Sequence, residues 1–225
     1  MSARAASVRS AFPLRLLDGH RDFLAHRMPI ERDRFLELAK RGQHPATMVI
    51  GCCDSRVSPE VIFDSHPGEL FVVRNIANLV PAYESGGACH GVFAALEFAV
   101  LVLKVEHIVV MGHAHCGGIR AFAEHGPPLS PGDSVHQWMS MIAPAAERAG
   151  PTHQPNYLER LEKASIARSL ENLMSFAYVA DAVKNGSLAL HGAYFDVETG
   201  QVFVRGIAED VYSELLAPER SAAAG

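Results

Sequence analysis

The segment IVVMGHAHCGG, residues 108–118, decides how this chain is read. Its first five residues form a short apolar run rich in β-branched side chains, the pattern of a buried strand. Gly117 and Gly118 open a helical pattern after it, and residues 91–103 have helical spacing before it. Two further runs have the same character, TMVIG at 47–51 and LFVVR at 70–74. Strands separated by helices need crossovers, and crossovers give a parallel sheet. Residues 188–190 and 201–204 read as later strands around the turn Thr199-Gly200. Residues 135–148 and 157–184 read as helical, the second stretch closing at Asn185-Gly186. At the N-terminus, 14–26 and 30–41 carry apolar residues at helical spacing. In the second of these Ile30, Phe35, Leu36 and Leu38 share a side, and Gly42 is the stop. The expected fold is α/β, a central mostly parallel β-sheet flanked by helices with an N-terminal helical arm. No repeat or linker divides the chain, so residues 1–225 are expected to form a single domain. Residues 1–13 read as the start of the arm and 218–225 as a disordered tail.

Composition narrows the function. The chain has 225 residues, 48% apolar and 20% charged, which suits a globular protein with its own core. Its net charge of −5 lacks the basic footprint of a nucleic-acid binder. A membrane span needs about 18 apolar residues. The best stretch, 98–111, contains Lys104, Glu106 and His107. The four cysteines are Cys52, Cys53, Cys89 and Cys116, beside twelve histidines. A disulfide scaffold is unneeded at this length, which points to a reducing compartment, with thiols buried or on a metal. No apolar segment of the secretory type follows the N-terminal charges. Residues 1–17, with Arg4, Arg9, Arg15 and no acid, have some transit-peptide character but read better as a frayed arm. The expected location is cytoplasmic, with an organelle as the alternative.

Two segments just past strand ends carry the chemistry: Cys52-Cys53-Asp54-Ser55-Arg56 and His113-Ala114-His115-Cys116-Gly117-Gly118. Ligands of open parallel sheets bind beyond the carboxyl ends of the strands. A lone cysteine there is a small hydrophobe, and a lone histidine is an ordinary polar residue. Together, Cys52, His113 and Cys116 supply the thiolate and imidazole donors that a catalytic zinc takes, three from protein with one position open. Cys53 begins the turn and reads as a packed thiol. His115 reads as a solvent or supporting residue, and Cys89 as core. An Asp–Arg pair on a surface is worth little. Beside a zinc thiolate, Arg56 can hold Asp54 ionised and aimed, so that its carboxylate orients a water on the metal. Gly117 and Gly118 either bring N–H groups to an anion at a helix start or permit close packing.

C-x-D-S-R followed by H-x-x-C-G-G, with PGELFVVRNIAN at 67–78 between them, resembles the β-class carbonic anhydrases. The likeness runs from about residue 14 to 204, and Arg168 to Asn172, Leu188, Tyr194 and Phe195 match its looser C-terminal pattern. The resemblance implies a four-stranded parallel sheet with one further strand, and an arm that embraces a neighbouring subunit. It implies zinc-dependent reversible hydration of CO2 to bicarbonate and a proton, with one zinc per chain. Cys52, His113 and Cys116 match the zinc ligands, and Asp54 with Arg56 the catalytic dyad. In some members the matching Asp closes onto zinc, as Asp54 would do in a closed resting state. Val49 stands where the bicarbonate-regulated subgroup has Trp, and Gln43 where the plant-like, open subgroup has Gln. Gln43 would donate to bicarbonate, while Phe71, Ile76 and Phe98 match apolar pocket positions near a subunit interface. Phe98 replaces a tyrosine of the plant enzymes, and Ala193 a common tryptophan. His66, His115 or another surface histidine would carry the proton out. The expected partners are CO2 and bicarbonate, no nucleic acid, no membrane, and further copies of the chain in a homodimer or higher even-numbered oligomer. The rival readings are a CS2/COS hydrolase of the same fold and a non-catalytic zinc- or bicarbonate-binding protein.

Overall fold

A computed structural model describes residues 12–84, 90–124, 126–128, 130–206 and 211–215. Cys89, expected in the core, and the expected tail at 218–225 lie outside the described residues. The chain divides into two compact units, Met1–Gln43 and His44–Gly225.

The first unit is helical. Helix α1, Leu14–Asp22, runs through a π-helical turn, Phe23–Arg27, into α2, Met28–Arg41. The two expected helices thus join through the π-helical turn, with Pro29 in the first turn of α2. Phe23 and Phe35 meet edge-on at 6.1 Å, and Arg27 Nε donates to Glu31 Oε1 at 2.9 Å. Gly42, at φ 81°, ends the helix. Leu14, Leu16, Leu24, Ile30 and Leu36 are exposed.

The second unit is built on a six-stranded sheet in the order β2-β1-β3-β4-β5-β6. The strands are β1 Thr47–Cys52, β2 Leu70–Asn75, β3 His107–His113, β4 Ala189–Phe195, β5 Val202–Arg205 and β6 Tyr212–Glu214. The first four pair in parallel, and β5 and β6 add antiparallel at the edge. The mostly parallel α/β expectation holds, with two added strands rather than one. The second, β6, has only three residues, too few to show alternation. Register aligns Cys52 with Asn75 across β1 and β2, so both strands end together.

The connecting helices are α3 Pro59–Ile62, α4 His90–Glu97 with a π-helical turn Phe98–Leu103, α5 Gly117–Glu124, α6 Ser134–Met139, α7 Ala143–Ala149, α8 Tyr157–Leu173 and α9 Ala177–Lys184. The expected helix at 135–148 is two, because Pro144 can sit only in a first turn. The expected helix at 157–184 also breaks, where Phe176 turns inward. Phe176 is 1% exposed and packs on Phe93 at 5.0 Å and Tyr83 at 5.4 Å. Met48, Ile50, Ile108 and Val110 meet Leu96, Ile166 and Phe176 in the main core. A Cβ on Gly112 would come within 2.7 Å of Ile166 Cδ1, so this glycine lets α8 lie against β3. A second cluster, around Val57, Ala77, Ile119, Met139 and Leu161, includes Cys52 and Cys116.

Candidate metal centre

Cys52 closes β1 and His113 closes β3, neighbouring parallel strands, and Cys116 follows three residues on at the entrance to α5. Cys52, His113 and Cys116 are 4%, 1% and 2% exposed. Their donor atoms lie within 4.8 Å of one another, and the two sulfurs are 4.0 Å apart. Zinc–sulfur bonds of about 2.3 Å at a tetrahedral angle separate two sulfurs by about 3.8 Å. His113 Nδ1 lies 2.8 Å from the Ala114 carbonyl oxygen. A carbonyl only accepts, so Nδ1 carries the proton and the Nε2 lone pair is free for a cation. That Nε2 is buried with no hydrogen-bond partner.

The thiols point the same way. Cys52 is drawn down chiefly by the hydrogen bond from Cys116, with the backbone N–H groups of Asp54 and Ala77 assisting. Cys116 is pushed up by the same contact and by burial. The pair releases a first proton readily and resists losing the second, because two thiolates repel at this distance. A cation between them removes the conflict. The donor set therefore fits zinc. The Ala77 N–H donates to Cys52 Sγ at 3.4 Å. Ala77 holds φ 62°, a left-handed conformation unusual for a residue with a side chain. The Asn75 side chain braces this turn, accepting from Leu79 N–H at 2.8 Å and donating to its carbonyl at 2.9 Å.

Asp54 and Arg56 form a two-pronged pair. Arg56 Nε donates to Asp54 Oδ1 at 2.9 Å, and Nη2 to Oδ2 at 2.7 Å. The guanidinium holds the Asp54 carboxyl well below the usual carboxylate range. With both oxygens on Arg56, Asp54 stands outside the three-donor cluster. Arg74, from β2, clamps the same turn, donating to the Cys52 carbonyl at 2.8 Å and the Asp54 carbonyl at 2.7 Å.

The other expected residues divide. Gly118 is explained by packing, since a Cβ there would come within 2.6 Å of Ile76 Cγ2 and 3.3 Å of Met139 Sδ. Gly117 has no such neighbour. Ile76 adjoins Ala77 and is 39% exposed. Phe71 pairs with Phe98 at 6.0 Å, but Phe71 aligns with Met48, four residues before Cys52. At about 3.3 Å per residue, that is some 13 Å from the donors. The single chain does not bring these two rings to its own centre. Gln43 is exposed and belongs to the first unit. Val49 is buried on the opposite face of β1 from Met48 and Ile50, with Met111 and Ala193. His115 is exposed, with its Nε2 2.9 Å from Glu198 Oε1. Cys53 is a correction: it is exposed rather than packed. Strand alternation ends at Cys52, so nothing carries the next side chain inward.

Sequence reasoning missed Glu162. This α8 carboxylate is 4% exposed and accepts from the Cys116 N–H at 2.9 Å and the Tyr194 hydroxyl at 2.8 Å. Burial raises its pKa against the pull of those two donors. The available signal was an acidic side chain in register with the apolar and small residues Ser165, Ile166, Ser169 and Leu173.

Known proteins agree with this geometry. Residues 47–202 match the carbonic anhydrase family model. The chain is 42% identical over 158 residues to chloroplastic β carbonic anhydrase 5 of Arabidopsis thaliana, covering 68% of this chain and 52% of that protein. The match thus spans about half the length of that relative. Among solved structures, the β-carbonic anhydrase CcaA superposes with a TM-score of 0.83 at 28% identity, over 91% of this chain and 92% of that one. A tetrameric β-carbonic anhydrase of Sordaria macrospora gives 0.74 at 28% identity, over 85% and 95%. By family model, sequence and fold, the chain belongs to the β-class carbonic anhydrases.

Proposed function

We propose that this chain catalyses the reversible hydration of carbon dioxide to bicarbonate and a proton, with one zinc ion held by Cys52, His113 and Cys116. The observation that carries the reading is the convergence of three buried donors, one an imidazole nitrogen with no hydrogen-bond partner, beside an Asp–Arg pair. Zinc bound there supplies hydroxide near neutral pH by lowering the pKa of water to about 7. The residues of the chain do the rest. Asp54, kept ionised by Arg56, can only accept hydrogen bonds. Its carboxylate would accept a hydrogen bond from the attacking oxygen and so aim a lone pair at the substrate carbon. The substrate has no charge and little surface, so the protein contributes orientation more than binding energy.

The two-pronged Asp54–Arg56 contact supports an open resting state, the plant-like subgroup indicated by Gln43 and Val49. Gln43 is assigned as a donor to bicarbonate from the resemblance, with Gly117 and Gly118 offering N–H groups. Phe71, Ile76 and Phe98 are assigned as apolar lining, the two phenylalanines through a subunit interface. Exposed Leu14, Leu16, Leu24 and Ile30 on the helical arm support a homodimer or higher even-numbered oligomer. Among the described residues no helix is long and apolar enough to cross a membrane. Free Cys52, Cys53 and Cys116 support a reducing compartment, assigned as the cytoplasm with an organelle as the alternative.

Side-by-side stopped-flow assays of the zinc-loaded chain with CO2 and with CS2 test the reading. Fast CO2 hydration with negligible CS2 hydrolysis is expected. CS2 turnover without CO2 hydration would replace it with the hydrolase reading.

A further inference from the structure

The peptide unit joining His115 to Cys116 is gripped from both ends. Its carbonyl, on His115, accepts from Arg56 Nη2 at 3.1 Å. Its N–H, on Cys116, donates to Glu162 Oε1 at 2.9 Å. The other Glu162 oxygen accepts from the Tyr194 hydroxyl at 2.8 Å. One chain of hydrogen bonds therefore runs from Asp54 through Arg56, across this peptide, to Glu162 on α8 and Tyr194 on β4. The peptide needs such a grip, because His115 sits at φ 58°, in the left-handed region that residues with a side chain rarely hold. Glu162 and Tyr194 are 4% and 5% exposed, so no water competes easily for these contacts.

We propose that Glu162, backed by Tyr194, is a positioning residue for both the Cys116 ligand and the Asp54–Arg56 pair, acting through the orientation of the His115–Cys116 peptide. Turning that peptide would move Cys116 Sγ away from Cys52 and His113. The same turn would withdraw the carbonyl that fixes the free edge of Arg56, and with it the aim of Asp54. A carboxylate on the N–H side also polarises the amide and strengthens its carbonyl as an acceptor. The inference rests on reading the centre as a zinc site.

The test uses the full chain and its E162A, E162Q and Y194F variants. Zinc affinity is measured by competition with a chromophoric chelator, and ligand geometry by the thiolate charge-transfer and d–d bands of the Co(II)-substituted protein. Melting temperature is followed in parallel, and kcat and KM are taken at saturating zinc. Loss of a partner behind a metal ligand costs about 10–100-fold in affinity. E162A should lose that much, alter the Co(II) bands and lower kcat with little change in KM. E162Q keeps an acceptor for the Cys116 N–H and should bind zinc close to the wild-type value. Y194F should fall between them. Wild-type zinc affinity and Co(II) bands in E162A, whatever its melting temperature, would overturn the proposal, as would an E162Q as impaired as E162A. Should E162A fail to fold, Y194F decides: weaker zinc binding supports the proposal, and an unchanged affinity and spectrum overturn it. A wild-type chain that binds zinc with normal Co(II) bands yet hydrates no CO2 would sink the functional reading while leaving these arms intact.

Discussion

Two turns carry the sulfur donors, and they are held in place in different ways. The turn after β1, Cys52 to Arg56, is fixed largely at its surface. Asp54 and Arg56, two residues apart, close on each other, and Arg74 reaches over from the adjacent strand end to two backbone carbonyls. The turn after β3, His113 to Gly118, is fixed from within. Its left-handed His115 is held by Arg56 on one side and, through the next N–H, by buried Glu162 on the other. Gly118 lets it pack on Ile76 and Met139. One turn is a charged clip that water can reach. The other is part of the core, so errors in it are paid in packing as well as in chemistry.

Substitutions separate the two turns. The largest effect is expected where both turns are needed at once. Cys116→Ser replaces a thiolate with a hydroxyl that stays protonated, so metal analysis should find zinc lost and stopped flow should find CO2 hydration lost with it. Asp54→Ala leaves the three donors intact. It should keep zinc while kcat/KM falls about 100-fold, the cost of losing orientation at the reacting atom. A variant that lost zinc as well would show that the clip also holds the metal. Gly118→Ala probes the buried turn. Its Cβ would meet Ile76 Cγ2 at 2.6 Å, and such overpacking costs about 1–3 kcal/mol, read from denaturant unfolding. No loss of stability would mean that this turn is looser than its contacts indicate.

The smallest effect lies toward the other end of the same strands. His191 and His107 sit at 3.2 Å, and burial, with the neighbouring His107, lowers the His191 pKa. An imidazole whose folded-state pKa lies below its ordinary 6.5 binds fewer protons folded than unfolded. Its contribution to stability is therefore full above pH 6.5 and is lost as pH falls through the folded value. His191→Gln should narrow the drop in melting temperature between pH 7.5 and 5.5 without changing zinc content. An unchanged drop would remove His191 from the acid response.

The contrast between the turns also explains what was readable in advance. Cys52, Asp54, Arg56, His113 and Cys116 lie within a few residues of two strand ends, so strand pattern and spacing were enough to group them. The charged clip is local and was legible. Glu162 and Tyr194 stand 46 and 78 positions beyond Cys116, on other elements, and only the packing of α8 against β3 and β4 brings them in. Arg74 sat inside a run read simply as a strand. Cys53 reads as a packed thiol at the start of the turn, but past the end of β1 the turn leaves it exposed. Phe71 and Phe98 matched a family pattern, yet β2 register holds Phe71 at the far end of the strand from the donors.

In the proposed function the two turns meet on one zinc, and that zinc makes this chain a working carbonic anhydrase. Titrating zinc into the metal-free chain while following CO2 hydration by stopped flow tests it most directly. Activity should rise in proportion to zinc, level off at one ion per chain, and persist down to about pH 7, where hydroxide on an open zinc already forms. Activity that vanished below about pH 8 would contradict the open resting state. A chain that saturated with zinc and hydrated no CO2, or hydrated CO2 at full rate without zinc, would contradict a zinc-dependent hydration at these two turns.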